Sequence, residues 1–418
     1  MKPFARVQET YRFRALSTPE EPVGGPMNRP IVKLRRGEDR RLRSGHLWVF
    51  SNEIDSIEGT VEPGDAVSVE DARGRVVGTG LANPHSLIAV RLISHGPVEV
   101  NRELVGRRIR TAVEYRNRIM PGETAQRLVF SEADLFPGLI VDRYGETLVV
   151  QSMTVGIERR LEMVLDALTE ELDPSAIVLR NDSPMRRYEE LPLEKRVVRG
   201  EVDGPVEVTL DDHTFLVDVL SGQKTGFFLD QRENRRDTAH LAKDRSVLDC
   251  CSYTGAWSVY FGSAGAESLT LLDSSSAALE GARANLSVND VTCPVTYRET
   301  DMFAGLAGLR REGAKFGVVA LDPPALAKSR KKIREALKGY RALNRLALSV
   351  LEPGGHLITC TCSHLVDREA FMNALVGAGE EAHRRARVLD VRGQSADHPV
   401  ILGLPETRYL TCVVLEVF

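Results

Sequence analysis

The chain has few cysteines, no long apolar run and no excess of positive charge, and each shortage removes a class of protein. Six cysteines among 418 residues form no C-x-x-C pair and no Cys/His quartet. Neither a disulfide framework nor a zinc site is expected, and the thiols should be reduced. No apolar stretch reaches the roughly 18 residues that a membrane span requires, and residues 1–14 alternate basic with apolar side chains where a secretion signal would have a hydrophobic core. The expectation is a cytoplasmic protein with no membrane and no metal among its partners. A formal net charge of -4 lacks the basic footprint that phosphate binding usually leaves. Also missing is the G-x-G-x-x-G turn that lets a backbone approach a pyrophosphate: only Gly255 falls in the relevant turn, and Gly262 and Gly265 come too late.

What is present describes a globular protein of several domains. The 42% hydrophobic and 27% charged fractions, with 34 Gly and 20 Pro, are those of a soluble folded chain, and 418 residues are enough for two or three cores. Residues 1–28 end in a run rich in Ser, Thr, Pro, Glu and Gly that cannot bury a core and reads as a disordered tail. Over residues 29–98, short β-branched runs at 31–34, 66–69, 76–79 and 87–92 recur between turn signals such as Pro63-Gly64-Asp65, which indicates a small β-barrel or open sheet. Within it, Lys33, Arg35, Arg36, Arg40, Arg41 and Arg43 face only Glu38 and Asp39. That stretch is either a phosphate-facing patch or a solvated basic face.

Residues 99–219 mix helices expected over 102–119 and 155–172 with strands over 139–141, 147–151, 176–179 and 214–219, a central α+β domain. From residue 220 to 418 the pattern changes. Apolar strands at 246–248, 269–272, 316–321 and 356–359 alternate with helices over 274–288 and 339–351, and a strand over 411–417 ends the chain. This is the pattern of an α/β, doubly wound, Rossmann-like domain.

Ligands of such sheets bind beyond the carboxyl ends of the strands. There the first strand opens into Asp249-Cys250-Cys251-Ser252-Tyr253-Thr254-Gly255 and the second ends in Asp273, a carboxylate able to accept ribose hydroxyls. With no pyrophosphate turn, an adenosine-type ligand is favoured. Asp301, after the third strand, sits where it can receive an adenine amino group, although each of these acids can equally cap a helix. Asp322-Pro323-Pro324 closes the fourth strand in a rigid turn that aims Asp322 into the cleft. At the end of the fifth strand stand two cysteines, Cys360 and Cys362, whose alternation points them to the same side and leaves open which is the nucleophile.

At these residues the sequence resembles the bacterial PUA-domain cytosine-5 methyltransferases of large-subunit ribosomal RNA. The resemblance covers residues 30–418 and rests on ordered blocks: Gly45-His46-Leu47-Trp48-Val49-Phe50-Ser51, residues 135–145, residues 222–232, Ser252-Tyr253-Thr254-Gly255, Asp322-Pro323-Pro324, Gly339-Tyr340, Cys362-Ser363 and Ala396-Asp397-His398-Pro399-Val400. It implies an N-terminal PUA β-barrel for RNA, a central α+β domain and a class I methyltransferase domain using S-adenosyl-L-methionine. It places the cofactor on Asp249, Ser252, Gly255, Asp273 and Asp301, with Phe228, Gln231 and Arg232 in the segment that covers it. It makes Cys362 the nucleophile, because Cys-Ser is the family's matching pair. One departure is Ala325, where the wider RNA cytosine-5 group often has a second cysteine.

Carbon 5 of cytosine is a poor nucleophile until a thiolate adds at carbon 6. Cys362 is expected to supply that thiolate and Asp322 to bind the cytosine edge, with Arg35, Arg36, Arg40, Arg41, Arg43 and Trp48 holding ribosomal RNA. The alternatives are an exocyclic-amine methyltransferase, which normally places an aromatic residue after Asp-Pro-Pro, and a catalytically silent RNA-binding assembly factor. Whether the chain is a monomer or a homodimer is left open.

Overall fold

The computed structural model describes residues 29–327 and 329–418, so the expected tail over 1–28 lies outside the described residues. The chain divides into two compact units between Leu104 and Val105. The first holds a six-stranded sheet in the order Trp48–Phe50, Ile88–Ser94, Val76–Ala82, Ala66–Glu70, Ile31–Leu34, Ile54–Glu58. Alternating apolar residues put Val32, Leu34, Val67 and Val69 into its core, as period-two strands with one dry face require.

The second unit begins with a five-stranded sheet whose order is Glu194–Gly200, Ala176–Asn181, Thr147–Ser152, Leu139–Tyr144, Ala125–Phe130. Its helix expected over 155–172 is interrupted, running as Val155–Glu158 and then Leu161–Leu172. The strand expected at 214–219 is His213–Val217, paired antiparallel with Val206–Leu210 in a hairpin. This hairpin is docked by side-chain amides. Asn285 Oδ1 accepts the Leu216 N–H at 2.9 Å and Asn289 Oδ1 the Thr214 N–H at 2.9 Å.

The catalytic sheet has seven strands: β1 (Ser246–Cys250), β2 (Ser268–Asp273), β3 (Val295–Glu299), β4 (Phe316–Leu321), β5 (Leu351–Thr361), β6 (Ala386–Arg392) and β7 (Thr411–Val417), in the order β3-β2-β1-β4-β5-β7-β6. Strands β1 to β5 pair in parallel and β7 runs antiparallel to both β5 and β6. Every residue of β4 is buried, because helices cover both faces of a parallel sheet. Each such Val or Leu contributes about 1.5–3 kcal/mol on leaving water. The strand order reverses beside β1, and that is where the carboxyl ends of β1, β2, β4 and β5 open a crevice. Among the described residues, no helix is long and apolar enough to cross a membrane.

A buried polar network ties the central sheet to the segment that enters the catalytic domain. Arg127 makes a bidentate pair with Asp142, which also accepts the Thr225 hydroxyl at 2.6 Å. Asp397 accepts the Arg127 N–H at 2.8 Å and holds His398 Nδ1 at 2.7 Å. Paired in this way, charges that would be costly alone become a rigid support.

Candidate active site

The loop after β1 is bent into an uncommon backbone. Cys251, Tyr253 and Gly255 have φ of 65°, 48° and 74°, a left-handed conformation that costs a non-glycine residue of order 1 kcal/mol or more unless its surroundings enforce it. Here they do. The Cys251 and Ser252 N–H groups both donate to Leu272 O, at 2.8 and 3.2 Å. Asp273 Oδ2 accepts the Tyr253 N–H at 2.9 Å, while Oδ1 accepts Ser275 N–H at 3.0 Å. At Gly255 a Cβ would stand 2.8 Å from Ala282 Cβ, so glycine lets the loop pack directly on the Ser276–Val288 helix.

This loop walls a cavity of about 240 Å³ that brings together Phe228, Gln231, Ser252, Asp273, Asp301, Asp322 and Cys362 from the sequence-predicted set. Asp249, Gly255 and Arg232 do not line it. Asp249 lies under the loop, where its Oδ2 accepts both the N–H and the hydroxyl of Ser258, at 3.1 and 2.7 Å. Burial first, and then the charge of Asp322, push its pKa up to about 7, against the Ser258 bonds. Arg232 is turned away into ion pairs with Glu123 at 2.5 Å and Asp211 at 3.0 Å. Its role is to anchor the entering segment. Asp301 lines the cavity and also caps the Met302–Arg311 helix, accepting Phe303 and Ala304 N–H, as an acidic N-cap does.

On the far wall, Asp322 Oδ2 accepts from Gln231 Nε2 at 3.0 Å and from Trp257 Nε1 at 3.2 Å. Asn234 donates to the other end of the Gln231 amide at 2.7 Å, which fixes its orientation. Burial raises the Asp322 pKa, opposed by the Trp257 bond and the Arg235 charge. Its second oxygen has no partner among the described residues.

The two cysteines of β5 are separated by depth. Cys360 is 1% exposed, directly across the ladder from Cys412, and burial pushes its thiol well up. Cys362 lies just past the strand's end, lines the cavity, and places Sγ 3.9 Å from Pro323 O. Burial raises its thiol to about 11, with Lys224 pulling it down and Asp322 and Asp230 pushing it up. The residues on either side of Cys362 are clamped by one hydroxyl. Tyr340, wholly buried, meets Thr361 Oγ1 at 2.9 Å and Ser363 Oγ at 2.9 Å. Its hydroxyl also meets the Leu326 N–H at 3.4 Å, while Ala327 N–H donates to Ser363 Oγ at 3.3 Å, joining the end of β5 to the turn after Asp322. A second cavity thiol, Cys251, packs 3.6 Å from the sulfur of Met302 on the opposite wall.

Sequence reasoning missed Lys224, Asp230, Tyr253 and Trp257, all of which line the cavity. Tyr253 accepts the Gln223 N–H at 2.8 Å and donates to Gly226 O at 3.0 Å, holding residues 223–226 against the cleft. Lys224 Nζ stands 3.5 Å from Asp230 Oδ2 and 4.4 Å from the centre of the Phe228 ring. Asp230 Oδ2 also accepts the Tyr409 hydroxyl at 2.6 Å. Burial would raise the Asp230 pKa, but Lys224, His398 and Tyr409 hold it below the usual carboxylate range. The hint of Lys224, Asp230 and Tyr253 was their place in the 222–232 and Ser252–Gly255 blocks, whereas Trp257 lies outside both.

In the first unit the basic stretch is partly neutralised. Arg41 pairs with Glu53 at 2.8 Å and donates to Trp48 O, and Arg43 pairs with Asp39 at 2.6 Å and Asp71 at 3.0 Å. Arg35, Arg36 and Arg40 are exposed and carry no ion pair among the described residues. Trp48 is half-buried between His46 and Phe50.

The cleft fits an adenosine sulfonium ligand. Ser252 Oγ and Asp230 Oδ1 belong to cavity-lining residues and are buried without a hydrogen-bond partner, a condition that a polar ligand relieves. Fold and site together define an S-adenosylmethionine-dependent methyltransferase. A model of that description matches residues 196–390, and a PUA-like domain model matches residues 32–95. Ribosomal RNA large subunit methyltransferase I of Shewanella denitrificans is 35% identical over 393 residues, 93% of this chain and 99% of its own, and the Shewanella amazonensis protein is 36% identical over 392 residues, with the same coverage of both. The chain belongs to the ribosomal RNA large subunit methyltransferase I family. Its fold matches a SAM-dependent methyltransferase from Streptococcus mutans (TM-score 0.79, 19% identity, covering 92% of this chain and 100% of that one). It also matches a methyltransferase complexed with SAH (TM-score 0.80, 19% identity, covering 92% and 99%).

Proposed function

We propose that the protein forms 5-methylcytosine in large-subunit ribosomal RNA in the cytoplasm, with Cys362 as nucleophile. The observation that carries this reading is the position of Cys362: a thiol lining the cleft with Asp322 and Pro323, its two flanking residues clamped by Tyr340. Chemistry on an exocyclic amine has no use for such a thiol. Ala325 and Leu326 also offer no aromatic surface after the Pro-Pro turn.

Asp273, Ser252, Asp301 and Phe228 are the residues that would hold the cofactor, which supplies an electrophilic sulfonium methyl. With its thiol at about 11, Cys362 is ionised in only about one molecule in ten thousand at pH 7. Activation therefore has to accompany substrate binding, and the Lys224 ammonium is the nearby positive charge that favours the thiolate. The thiolate adds to carbon 6 of cytosine, and the displaced ring electrons make carbon 5 the nucleophile toward the methyl group. The free oxygen of Asp322 holds the cytosine edge, and its raised pKa lets the carboxyl share a proton with the ring as charge develops there. Loss of the carbon 5 proton to a base then expels the Cys362 thiolate and restores the ring. Bringing the base into the cleft costs about a few kcal/mol, least in single-stranded RNA. In the first unit, Arg35, Arg36, Arg40 and Trp48 hold the strand, with Arg41 and Arg43 supporting that face through their ion pairs.

Mapping methylcytosine in large-subunit ribosomal RNA from cells with and without the gene tests the reading. One cytosine should lose its methyl group in the deletion strain. An unchanged methylcytosine map with a lost methyladenine or methylguanine would replace it by amine methylation.

A further inference from the structure

The cations just after the Asp322-Pro323-Pro324 turn play no part in the chemistry above. Arg330–Lys332 form a single 3-10 turn and lead into the helix Ile333–Ser349. Arg330, Lys331, Lys332, Arg334 and Lys338 are all exposed. Lys332 pairs with Glu335 at 2.7 Å, and the other four carry no ion pair among the described residues. Local stability does not explain them. The helix has Lys332 as an N-cap without a side-chain cap bond, and cations in a first turn oppose the helix dipole.

The inner face of the same helix explains why these charges bear on the active site. Ala336, Tyr340, Leu343 and Ala347 are buried along it, and the Tyr340 hydroxyl is bonded to both residues flanking Cys362 and to the turn after Asp322. The cationic face is thus rigidly tied to the nucleophile, and it begins only a few residues beyond Pro324 in the cleft wall.

We infer that Arg330, Lys331, Arg334 and Lys338 form an RNA-phosphate contact of the catalytic domain itself, gripping the backbone beside the target cytosine. The inference rests on the reading of an RNA substrate. Phosphates supply the opposite charge that Glu335, paired with Lys332, leaves unmet across this face, and each one neutralised releases a counterion, which adds affinity without sequence preference. The surface therefore sets how well the strand is held at the cleft, while base identity is read inside it.

The test compares three full-length proteins: wild type, the quadruple variant R330Q/K331Q/R334Q/K338Q, and R35Q/R36Q/R40Q. Binding of a mixed-sequence single-stranded RNA oligonucleotide is measured across a salt series. KM and kcat are measured on transcribed large-subunit ribosomal RNA, and cofactor affinity by calorimetry. The quadruple variant should keep its cofactor affinity and melting temperature. Its salt slope should fall by about 0.7 for each phosphate no longer neutralised, up to about 2.8, and its KM for RNA should rise about tenfold or more with kcat little changed. A quadruple variant with wild-type slope and KM, beside a weakened R35Q/R36Q/R40Q protein, would overturn the catalytic-domain surface and leave the RNA reading standing. Absence of salt-dependent RNA binding by the wild type would overturn both.

Discussion

The two walls of the cleft are built differently. On the wall formed by the loop after β1 the bonds fix main-chain N–H groups: Leu272 O receives two, the Asp273 carboxylate receives two more, and three left-handed residues are locked in one loop. On the opposite wall the work falls to side chains. There Asp322, Gln231, Trp257, Lys224, Asp230 and Cys362 lie in or against the cavity, and burial lifts the pKa of both Asp322 and Cys362. A ligand of fixed shape needs a preorganised wall, whereas a group that must gain and lose a proton needs one where a nearby charge can tip the balance. If Cys362 is the nucleophile and Asp273 holds the cofactor, as proposed, mutations on the two walls should separate chemistry from binding.

The largest effect belongs to the chemical wall. Cys362→Ala should abolish methyl transfer in a single-turnover assay while calorimetry finds cofactor affinity nearly unchanged, because without addition at carbon 6 the ring cannot pass electrons to carbon 5. Cys360→Ala, buried behind it against Cys412, should keep substantial activity. Equal losses in both variants would erase the distinction drawn from depth.

On the binding wall the expected loss is smaller. Asp273→Ala removes a carboxylate that orders the β1 loop and that the proposed reading assigns to the ribose hydroxyls; loss of charge-assisted bonds of this kind costs about 1.5–3 kcal/mol, or roughly 10- to 150-fold in affinity. Unchanged calorimetric affinity in a folded Asp273→Ala protein would show that the cofactor does not use this residue.

Tyr340 sharpens the comparison further because it is buried behind the cavity and does not line it. With the Cys362 thiol at about 11, the thiolate fraction, and with it the rate of Cys362 alkylation, should rise about tenfold per pH unit from 7 toward 10. Tyr340→Phe removes only the hydroxyl that clamps Thr361 and Ser363. It should lower kcat by about tenfold, near the net worth of one or two hydrogen bonds, leave cofactor affinity alone and displace the alkylation profile along the pH axis. A lower melting temperature with an unmoved profile would reduce Tyr340 to a structural residue.

How far the sequence could be read follows the same division. Strands such as Phe316–Leu321 and Thr411–Val417 were legible because buried strands are largely apolar runs, broken in the second only by Thr411 and Glu416. The Ile333–Ser349 helix was expected to begin only at 339, since its cationic first turns carry no capping signal. Strand Ala386–Arg392 escaped notice because it is a solvent-exposed edge with charged residues. In the cleft, Asp322 and Cys362 were legible from their strand-end positions and the family resemblance. Lys224, Asp230 and Tyr409 were not, because they meet only in the folded chain, with Asp230 and Tyr409 179 residues apart in sequence. Arg41 and Arg43 looked free for the same reason: Glu53 and Asp71 reach them from outside the basic stretch.

Whether Cys362 is the nucleophile for a cytosine ring is decided by RNA carrying 5-fluorocytosine. Fluorine at carbon 5 cannot leave as a proton, so elimination stops and the enzyme stays bonded to carbon 6. Mass spectrometry of the trapped complex should place the RNA on the peptide containing Cys362, with no complex from Cys362→Ala. An adduct on Cys360 or Cys251, or full methylation by the Cys362→Ala protein, would remove Cys362 from that role.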